Sequence, residues 1–365
     1  MKFSASREAF LKPLQAVIGV VERRQTMPIL SNVLLNVADG KVSVTATDLE
    51  VELLAEATIE QDKSGEITVP GRKLHDICRA LPEGSKVELS LSGERLTVKA
   101  GRSRFTLSTL RAGDFPSIEE VTAVQTLTVK QSKLQELLER TQFSMAQQDV
   151  RYYLNGLLLE TADSRLRAVA TDGHRLALSE IELDTKVEQE GQVIVPRKGV
   201  LELSRLLGDE GEVALKISAN HVQVEAGAIR LTSKLIDGRF PDYARVIPAE
   251  AENLVKADRG LLRQALQRAA ILSNEKYRGV RLELGQNMIV IQANNPEQEE
   301  AVESLEVEYA GNDLEIGFNV TYLLDALNAV EGEVVEIGLN DGNSSCLIRT
   351  PGDNATKYVV MPMRL

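Results

Sequence analysis

The side chains with the widest range of possible chemistry are three histidines and two cysteines. The histidines are His75, His174 and His221, and the cysteines are Cys78 and Cys346. None of the five belongs to an HExxH, GxSxG, Walker A or paired-cysteine motif, the patterns in which such residues usually catalyse reactions or bind metals. The sequence therefore favours a binding scaffold over an enzyme, with no catalytic residues, no metal and no cofactor.

His174 lies in the motif TDGHRLA and is the histidine that most resembles a catalytic base. A general base needs a nucleophile or a metal cluster beside it, and the sequence suggests neither, so a packed or groove-lining histidine is the favoured interpretation. Asp48 and Asp172 occupy equivalent positions of a repeat, which predicts a turn or cap role for both. The two cysteines lie far apart without CxxC spacing, which predicts buried, inert thiols.

Length and charge limit the possible functions further. A chain of 365 residues suits two or three domains, and its net charge of −12 argues against gripping nucleic acid by bulk attraction. Any DNA-binding role must therefore use local charge. No apolar run approaches the roughly 20 residues of a membrane span, and MKFSASREAF resembles neither a secretory signal nor a transit peptide. We expect a cytoplasmic protein that does not bind membranes.

Three segments of the chain repeat with one long period. ATDLEVELLA begins at Ala46, ATDGHRLAL at Ala170 and the weaker ANNPEQEEA at Ala293, so the spacing is about 124 residues. A similar shift relates VPGRKLHDICRAL, VPRKGVLELSRLL and FNVTYLLDALNAV, and also FPSI and FPDY. This period is the size of a domain, longer than the repeats of solenoids. The sequence predicts three repeated modules, residues 1–121, 122–248 and 249–365.

Each module shows the same order of periodicities. An amphipathic helix comes first, with apolar residues at helical spacing, as in Leu262, Ala265, Leu266 and Ala269. Strands follow, then a second helix, and then a meander of alternating polar and apolar residues separated by turns. The second helices are predicted at Lys73–Leu81, Lys198–Leu207 and Asn319–Glu333. The predicted fold class is α+β, with each module built as helix, strands, helix, strands.

Edge strands and charge suggest how such modules assemble. Six modules in a closed ring leave no sheet edge unpaired, and three modules per chain then require a head-to-tail dimer. Arg95–Arg111 carries five basic residues and no acid, whereas Pro296–Glu308 carries six glutamates and no base. These stretches are suited to opposite sides of one joint. The alternative interpretation is that both are ordinary solvated faces.

Several longer runs resemble one protein family. They are QFSMAQQDVRYYLNG from Gln142, TDGHRLA from Thr171, SKLIDGRFPDY from Ser233, ILSNEKYRGVRL from Ile271, NNPEQEEA from Asn294 and the terminal YVVMPMRL. Together they resemble the bacterial DNA polymerase III beta subunit family, the sliding clamps, over essentially the whole chain. The resemblance implies repeated clamp modules that form half of a six-module ring.

The same resemblance implies a function and its partners. It implies a processivity factor: a ring-shaped homodimer that encircles duplex DNA, slides along it, and tethers replicative and repair polymerases through a peptide-binding groove. The implied partners are duplex DNA, a second copy of the chain bound head to tail, the DNA polymerase III alpha subunit, the clamp loader, and other polymerases and repair proteins. The alternative is a multi-module protein-interaction scaffold that does not encircle DNA.

Three sets of site residues follow. By resemblance or by their place on basic helices, the predicted DNA contacts are Arg24, Lys73, Gln148, Tyr152, Tyr153, Arg197 and Lys198. The tyrosine pair is suited to stacking on exposed bases, or alternatively to packing at the start of a strand. Further candidates for the channel lining are Arg7, Lys12, Arg23, Arg72, Arg79, Lys133, Arg205, Arg263 and Arg268.

The groove implied by the resemblance combines apolar anchors with polar handles for orienting a peptide. It consists of Leu154, Thr171, Gly173, His174, Arg175, Leu176, Pro241, Arg245, Val246, Asn319, Tyr322, Ser345, Val359, Val360, Met361, Pro362, Met363 and Arg364. The predicted dimer interface consists of Arg102, Arg104, Phe105, Leu107, Ile271, Leu272, Glu297, Glu299, Glu300 and Glu303.

Overall fold

The structure is a computed structural model that describes residues 1–21, 27–118, 121–187, 189–248 and 251–364. Those residues include six α-helices: α1 Arg7–Val17, α2 Gly71–Ala80, α3 Gln131–Glu139, α4 Arg197–Leu206, α5 Arg259–Ala269 and α6 Val320–Ala329. The predicted second helices correspond to α2, α4 and α6. The third prediction extended four residues past the end of α6, because Val330 already has an extended backbone and Gly332 a positive φ of 84°. No helix among the described residues is long and apolar enough to cross a bilayer.

Twenty-five strands lie in the described part of the chain. They are β1 Lys2–Ser6, β2 Asn32–Ala38, β3 Lys41–Thr47, β4 Val51–Thr58, β5 Glu60–Lys63, β6 Gly65–Pro70, β7 Lys86–Ser92, β8 Arg95–Ala100, β9 Ser103–Ser108, β10 Gln125–Lys130, β11 Gly156–Ala162, β12 Arg165–Thr171, β13 Arg175–Glu182, β14 Gly191–Pro196, β15 Glu212–Ile217, β16 His221–Ala226, β17 Ile229–Lys234, β18 Asn253–Asp258, β19 Gly279–Gly285, β20 Met288–Asn294, β21 Glu300–Glu306, β22 Leu314–Asn319, β23 Val334–Leu339, β24 Cys346–Arg349 and β25 Thr356–Val360. The mixture of helices and antiparallel strands confirms the α+β class.

Two compact units divide the chain. The first contains Met1–Leu134 and Lys198–Leu235, and the second contains Gln135–Arg197 and the chain from Ile236 on. Each unit has an eight-stranded sheet and a smaller one. In the first unit the strand orders are β10-β15-β16-β17-β4-β3-β2-β6 and β5-β1-β7-β8-β9. In the second they are β14-β11-β12-β13-β25-β24-β23-β18 and β21-β20-β19-β22. The three module boundaries stay a prediction.

Helices pack on the sheets through the faces that the periodicity predicts. In α5 the buried residues are the predicted set Leu262, Ala265, Leu266 and Ala269. They join α6 and the strands β19 and β20 in one apolar core. Side-chain caps begin α1, α5 and α6; at the start of α5, for example, Asp258 Oδ1 accepts a hydrogen bond from the Leu261 amide at 2.8 Å.

The same strand pairing joins the two halves of both eight-stranded sheets. In the first unit β17 pairs antiparallel with β4, with Leu231 opposite Leu53. In the second unit β25 pairs antiparallel with β13, with Val359 opposite Leu176. By position in the repeat, β9 of the first module is equivalent to β17 and β25, and β21 of the third module is equivalent to β4 and β13. Each of these two has a single strand neighbour among the described residues, β8 and β20 respectively, so both are sheet edges.

Candidate functional site

An apolar cavity of about 180 Å³ opens on the second unit; we call it the groove. It lies where β12 turns into β13, beside the end of β25 and the segment that follows β17. Its wall consists of Arg151, Tyr153, Leu154, Thr171, Gly173, Arg175, Leu176, Pro241, Tyr243, Val246, Val359 and Met361. Most of the exposed surface inside it is apolar, which suits the side chains of a bound peptide.

A tight turn between β12 and β13 forms one side of the groove. Asp172 Oδ1 accepts hydrogen bonds from the amides of His174 at 2.9 Å and Arg175 at 3.1 Å. Thr171 Oγ1 accepts one from the Gly173 amide at 3.1 Å. Gly173 has φ of 89°, and a Cβ there would lie 2.9 Å from the guanidinium of Arg151. The positive φ favours glycine at this position, and the predicted turn role of Asp172 is confirmed.

Tyr243 forms another part of the wall, and a half-buried polar network holds its ring. Arg167 Nη1 donates to Tyr243 Oη at 2.8 Å, and that hydroxyl donates to Glu160 Oε1 at 2.9 Å. Burial raises the pKa of Tyr243, so its hydroxyl is neutral at physiological pH. Because its hydroxyl is fixed, Tyr243 presents a rigid aromatic face to the groove.

Arg175 anchors the groove from inside. Its guanidinium forms ion pairs with Asp172 and Asp325, donates from Nη2 to the Phe143 carbonyl at 2.9 Å, and lies 4.6 Å from the ring centre of Tyr322. Only 13% of the side chain is exposed. Two carboxylates already pair with its charge within the fold, and the use of Arg175 as a polar handle for a peptide stays a prediction. Its structural role here is to hold the turn.

Nine of the predicted groove residues line the cavity together: Leu154, Thr171, Gly173, Arg175, Leu176, Pro241, Val246, Val359 and Met361. His174 is exposed beside it and stacks on Tyr322, with ring centres 6.4 Å apart. Arg245 is exposed and pairs with Asp242. Val360 packs in the α5–α6 core, since successive residues of a strand face opposite sides, so it lies outside the cavity wall.

The other predicted groove residues, Asn319, Ser345, Pro362, Met363 and Arg364, also lie outside the wall. Asn319 caps α6 by accepting a hydrogen bond from the Thr321 amide at 2.9 Å. The Met363 amide donates to the Gly317 carbonyl at 2.8 Å. Both residues therefore have structural partners in the same unit.

Three wall residues were absent from the groove prediction: Arg151, Tyr153 and Tyr243. Tyr243 lies in the repeated FPDY motif, which was the available signal for it. Tyr153 was assigned to DNA instead. Arg151 belongs to the run QFSMAQQDVRYYLNG, but its place in the wall depends on contacts that only the fold creates, an ion pair with Asp149 and a hydrogen bond donated to the Asp172 carbonyl at 3.2 Å.

The predicted DNA contacts lie in different environments. Lys73 is exposed on α2, and Gln148 and Tyr152 are exposed in the segment before β11, Tyr152 to 58%. Tyr153 is half-buried in the groove wall, 5.8 Å from the Tyr152 ring. Arg24 lies outside the described residues, as does Arg23.

Several candidate channel cations have partners inside the fold. Arg197 Nη1 donates to the Met145 carbonyl at 3.2 Å, and Lys198 forms an ion pair with buried Asp48. Arg7 donates to the carbonyls of Cys78 at 3.1 Å and Arg79 at 2.8 Å, at the end of α2, and only 13% of its side chain is exposed. Arg7 therefore neutralises a helix C-terminus, and its place in the channel lining stays a prediction.

Residues of the predicted dimer interface follow the two sheet edges. Phe105 on β9 is 36% exposed, and Ile271, in the turn after α5, is 76% exposed. Arg102, Arg104, Glu297, Glu299 and Glu300 are also exposed, whereas Leu107 and Leu272 are half-buried. Glu303 on β21 accepts two hydrogen bonds from Arg268, which lower its pKa.

Comparisons with known proteins agree over the full length. Models of the N-terminal, central and C-terminal domains of the DNA polymerase III beta subunit match residues 1–119, 128–242 and 244–364. The chain belongs to this family. The beta sliding clamps of Pseudomonas putida and Escherichia coli K12 are 56% and 52% identical to it, each over the whole of both chains. The crystal structure of the Pseudomonas aeruginosa sliding clamp bound to griselimycin has a TM-score of 0.97 at 55% identity, and Caulobacter crescentus pol III beta 0.95 at 43%, both over the whole of both chains.

The two thiols of this beta subunit family member are unreactive by environment. Cys78 and Cys346 are both buried, as predicted, and burial raises the pKa of each to about 12. Thiolate is the reactive form, so both side chains are inert at neutral pH. Within the described ranges, no group of three or more histidine, cysteine or acidic residues is arranged to hold a metal ion.

Proposed function

We propose that the chain is a DNA polymerase processivity factor: a ring-shaped homodimer that encircles duplex DNA, slides along it and tethers polymerases through the groove. Its three modules are residues 1–121, 122–248 and 249–365. It acts in the cytoplasm, without catalysis and without a cofactor. Family membership supports this role, and the clamp names of its relatives support the DNA and polymerase partnership.

One structural observation carries the ring. Strand β17 of the second repeat pairs with β4 of the first, and β25 of the third repeat pairs in the same way with β13 of the second. The strand of the first repeat that is equivalent to β17 and β25 is β9. The strand of the third repeat that is equivalent to β4 and β13 is β21. Both β9 and β21 are sheet edges. Each chain has one edge of each kind, so β9 of one copy can pair with β21 of another in the same way. Two copies then close head to tail with two equal joints and six modules.

Charge supports this joint. Arg102 and Arg104 lie on or beside β9, and Glu297, Glu299 and Glu300 lie on or beside β21. Opposite charges across paired edges favour the head-to-tail arrangement and disfavour pairing of β9 with β9 or of β21 with β21. Ile271 and Phe105 would lose their exposed apolar surface there, together with Leu107, Leu272 and Glu303.

The acidic total charge of −12 suits a ring that holds DNA by enclosure. Such a ring needs only local basic residues facing the duplex, and we propose Lys73, Arg197, Lys198 and Arg24 for this role. We also propose direct DNA contacts for Gln148 and Tyr152, which are both exposed. Tyr153 is proposed for the groove instead, because it lines that wall. Phosphate contacts of this kind position a protein without specifying sequence, as sliding requires.

The groove is proposed to receive short linear peptides of the DNA polymerase III alpha subunit, the clamp loader, and other polymerases and repair proteins. Leu154, Leu176, Val246 and Val359 offer an apolar slot for side-chain anchors, and Met361 adds an adaptable contact. One slot with several possible partners implies competition between them for the same site.

Retention on DNA tests the enclosure. The protein is loaded onto nicked circular plasmid by a clamp loader with ATP, separated from free protein by gel filtration, and then treated with a restriction enzyme that linearises the plasmid. We expect the protein to stay on the circle and to leave the linear form, with a solution mass of twice 40.1 kDa. A control digest with an enzyme that has no site in the plasmid should release nothing. Equal retention on circular and linear DNA would refute enclosure and favour an open scaffold.

A further inference from the structure

The first unit contains a second groove that repeats the geometry of the groove described above. Its volume is about 270 Å³, compared with about 180 Å³ for the groove. Its lining consists of Thr47, Leu49, Pro116, Ser117, Ile118, His221 and Lys234. The lining residues come from the turn between β3 and β4, the FPSI motif, β16 and the end of β17.

The turn at its rim has the same hydrogen bonds as the turn of the groove. Thr47 Oγ1 accepts from the Leu49 amide at 3.1 Å, as Thr171 does from the Gly173 amide. Asp48 Oδ1 accepts from the two amides that follow, at 2.9 and 2.7 Å, which confirms its predicted turn role. The backbone of the two turns is therefore equivalent residue by residue.

The end of the last strand is equivalent too. The Lys234 amide donates to the Glu50 carbonyl at 2.8 Å, and the Met361 amide donates to the His174 carbonyl at 2.9 Å. Lys234 therefore occupies the position that Met361 has in the groove. Pro116 and Ile118 of FPSI likewise occupy the positions of Pro241 and Tyr243 of FPDY.

Leu49 stands where the groove has Gly173. Its φ is 79°, close to the 89° of Gly173, although a branched side chain rarely adopts this conformation. The side chain is 38% exposed at the rim. Strained residues persist where the surrounding structure over-determines them, and they concentrate at functional sites. At this position the second groove presents an apolar side chain where the groove has none.

The wall opposite is held by a buried acid. Glu52 is 9% exposed, and its Oε2 accepts a hydrogen bond from the Ile118 amide at 3.1 Å. Burial raises the pKa of Glu52. In the groove the equivalent position is Leu176, which forms part of the wall. The hydrogen bond fixes Ile118 in place, so the second groove has a fixed apolar wall.

Charge distinguishes the two grooves. Lys234 is exposed and forms no ion pair with the described residues, although Glu50 lies on the adjacent turn. The buried Asp48 side chain of that turn is already paired with Lys198. A cation without an internal partner, beside the apolar surfaces of Leu49 and Ile118, suits a ligand that combines apolar groups with a carboxylate.

We propose that the second groove binds a short extended peptide that places an apolar side chain between Leu49 and Ile118 and a carboxylate next to Lys234. The site does not depend on the groove of the second unit or on ring closure. Its occupant differs in chemistry from a purely apolar peptide, because Lys234 replaces Met361 at the equivalent position.

Two labelled peptides test the site by fluorescence anisotropy. Both contain two leucines, a phenylalanine and two serines, and they differ only in one central residue, aspartate or asparagine. The protein carries Val246→Glu, which places a charge in the wall of the other groove and removes binding there. We expect the aspartate peptide to bind about two- to fivefold more tightly than the asparagine peptide, as for an exposed ion pair.

Lys234→Met should abolish the preference for the aspartate peptide, and Ile118→Ser should weaken the binding of both peptides. Lys130→Met is the matched control, because Lys130 is an exposed strand residue of the same unit outside the second groove; it should change nothing. Absence of binding in the Val246→Glu protein, or an unchanged preference with Lys234→Met, would overturn the proposal.

A measurement on the unmodified protein guards against misfolding of these variants. The aspartate peptide is made with photo-leucine, irradiated with the protein, and the cross-linked fragments are identified by mass spectrometry. Cross-links at residues 47–49, 116–118 or 234 support the second groove. Cross-links confined to residues 151–176, 241–246 and 359–361 show binding at the other groove alone and contradict the proposal.

Discussion

Replacing Ile271 with alanine tests whether the turn before β19 belongs to the joint between two copies. Ile271 is 76% exposed in the single chain. Full burial of an isoleucine side chain contributes about 1.5–3 kcal/mol, so three-quarters of that, about 1.1–2.3 kcal/mol, is available at each joint. A head-to-tail ring of two chains contains two equal joints, which doubles the loss to about 2.3–4.6 kcal/mol. The dimer dissociation constant should therefore rise by about 50- to 2,000-fold.

Sedimentation velocity over a dilution series measures that constant directly, since the dimer has twice the 40.1 kDa mass of the chain. The lower end of the range is expected, because alanine keeps the Cβ. Leu261→Ala is the matched control: Leu261 is 53% exposed on the neighbouring helix α5 but outside the predicted interface. If Ile271→Ala folds with an unchanged circular dichroism spectrum and dimerises within threefold of the original chain, the assignment of this joint is wrong.

Three further predictions concern the turns and their ion pairs. Arg175→Ala should lower the free energy of unfolding by about 3 kcal/mol in denaturant titrations, because Asp325 loses its partner; Arg175→Lys should recover only part of it, and no loss would contradict the anchoring role. Hydrogen bonding to Arg151 lowers the pKa of Asp149 to about 2 from 3.8. The contribution of this pair to the stability of the folded protein is therefore complete above about pH 4 and is lost as pH falls towards 2. Carboxylate NMR should show Asp149 titrating with a midpoint of about 2, and Arg151→Gln should return this midpoint towards 3.8. A midpoint above about 3 in the unmodified protein would contradict the pairing. Leu49→Gly should raise the free energy of unfolding by about 0.5–1 kcal/mol by relieving the positive φ; a loss of stability would show that the backbone there is not strained.

Local patterns in the sequence were enough to predict much of the fold. The buried face of α5 follows from apolar residues three and four apart, and the turn roles of Asp48 and Asp172 follow from the repeated ATD motif. These features depend on hydrogen bonds and side-chain periods that extend over a few residues. The end of α6 was misplaced, because the change to an extended backbone at Val330 carries no proline signal.

The sites themselves depend on residues that lie far apart along the chain. Arg7 was predicted to face DNA, but folding places it against the carbonyl of Cys78, and Tyr153 reaches the groove wall only because β12, β13 and β25 converge there. Nine predicted groove residues do meet in one cavity, although their peptide-binding role stays a prediction.

By itself, the sequence determined a repeat of about 124 residues, the α+β elements of each repeat and the turns that join β3 to β4 and β12 to β13. Only the tertiary structure decided which of those repeated turns border cavities, which cations remain exposed, and which strands, such as β9 and β21, lie at a sheet edge. The physical reason is the separation along the chain of the residues that interact. Helical period, strand alternation and turn hydrogen bonds are settled among neighbours, whereas cavities, ion pairs and sheet edges are settled by packing between distant segments.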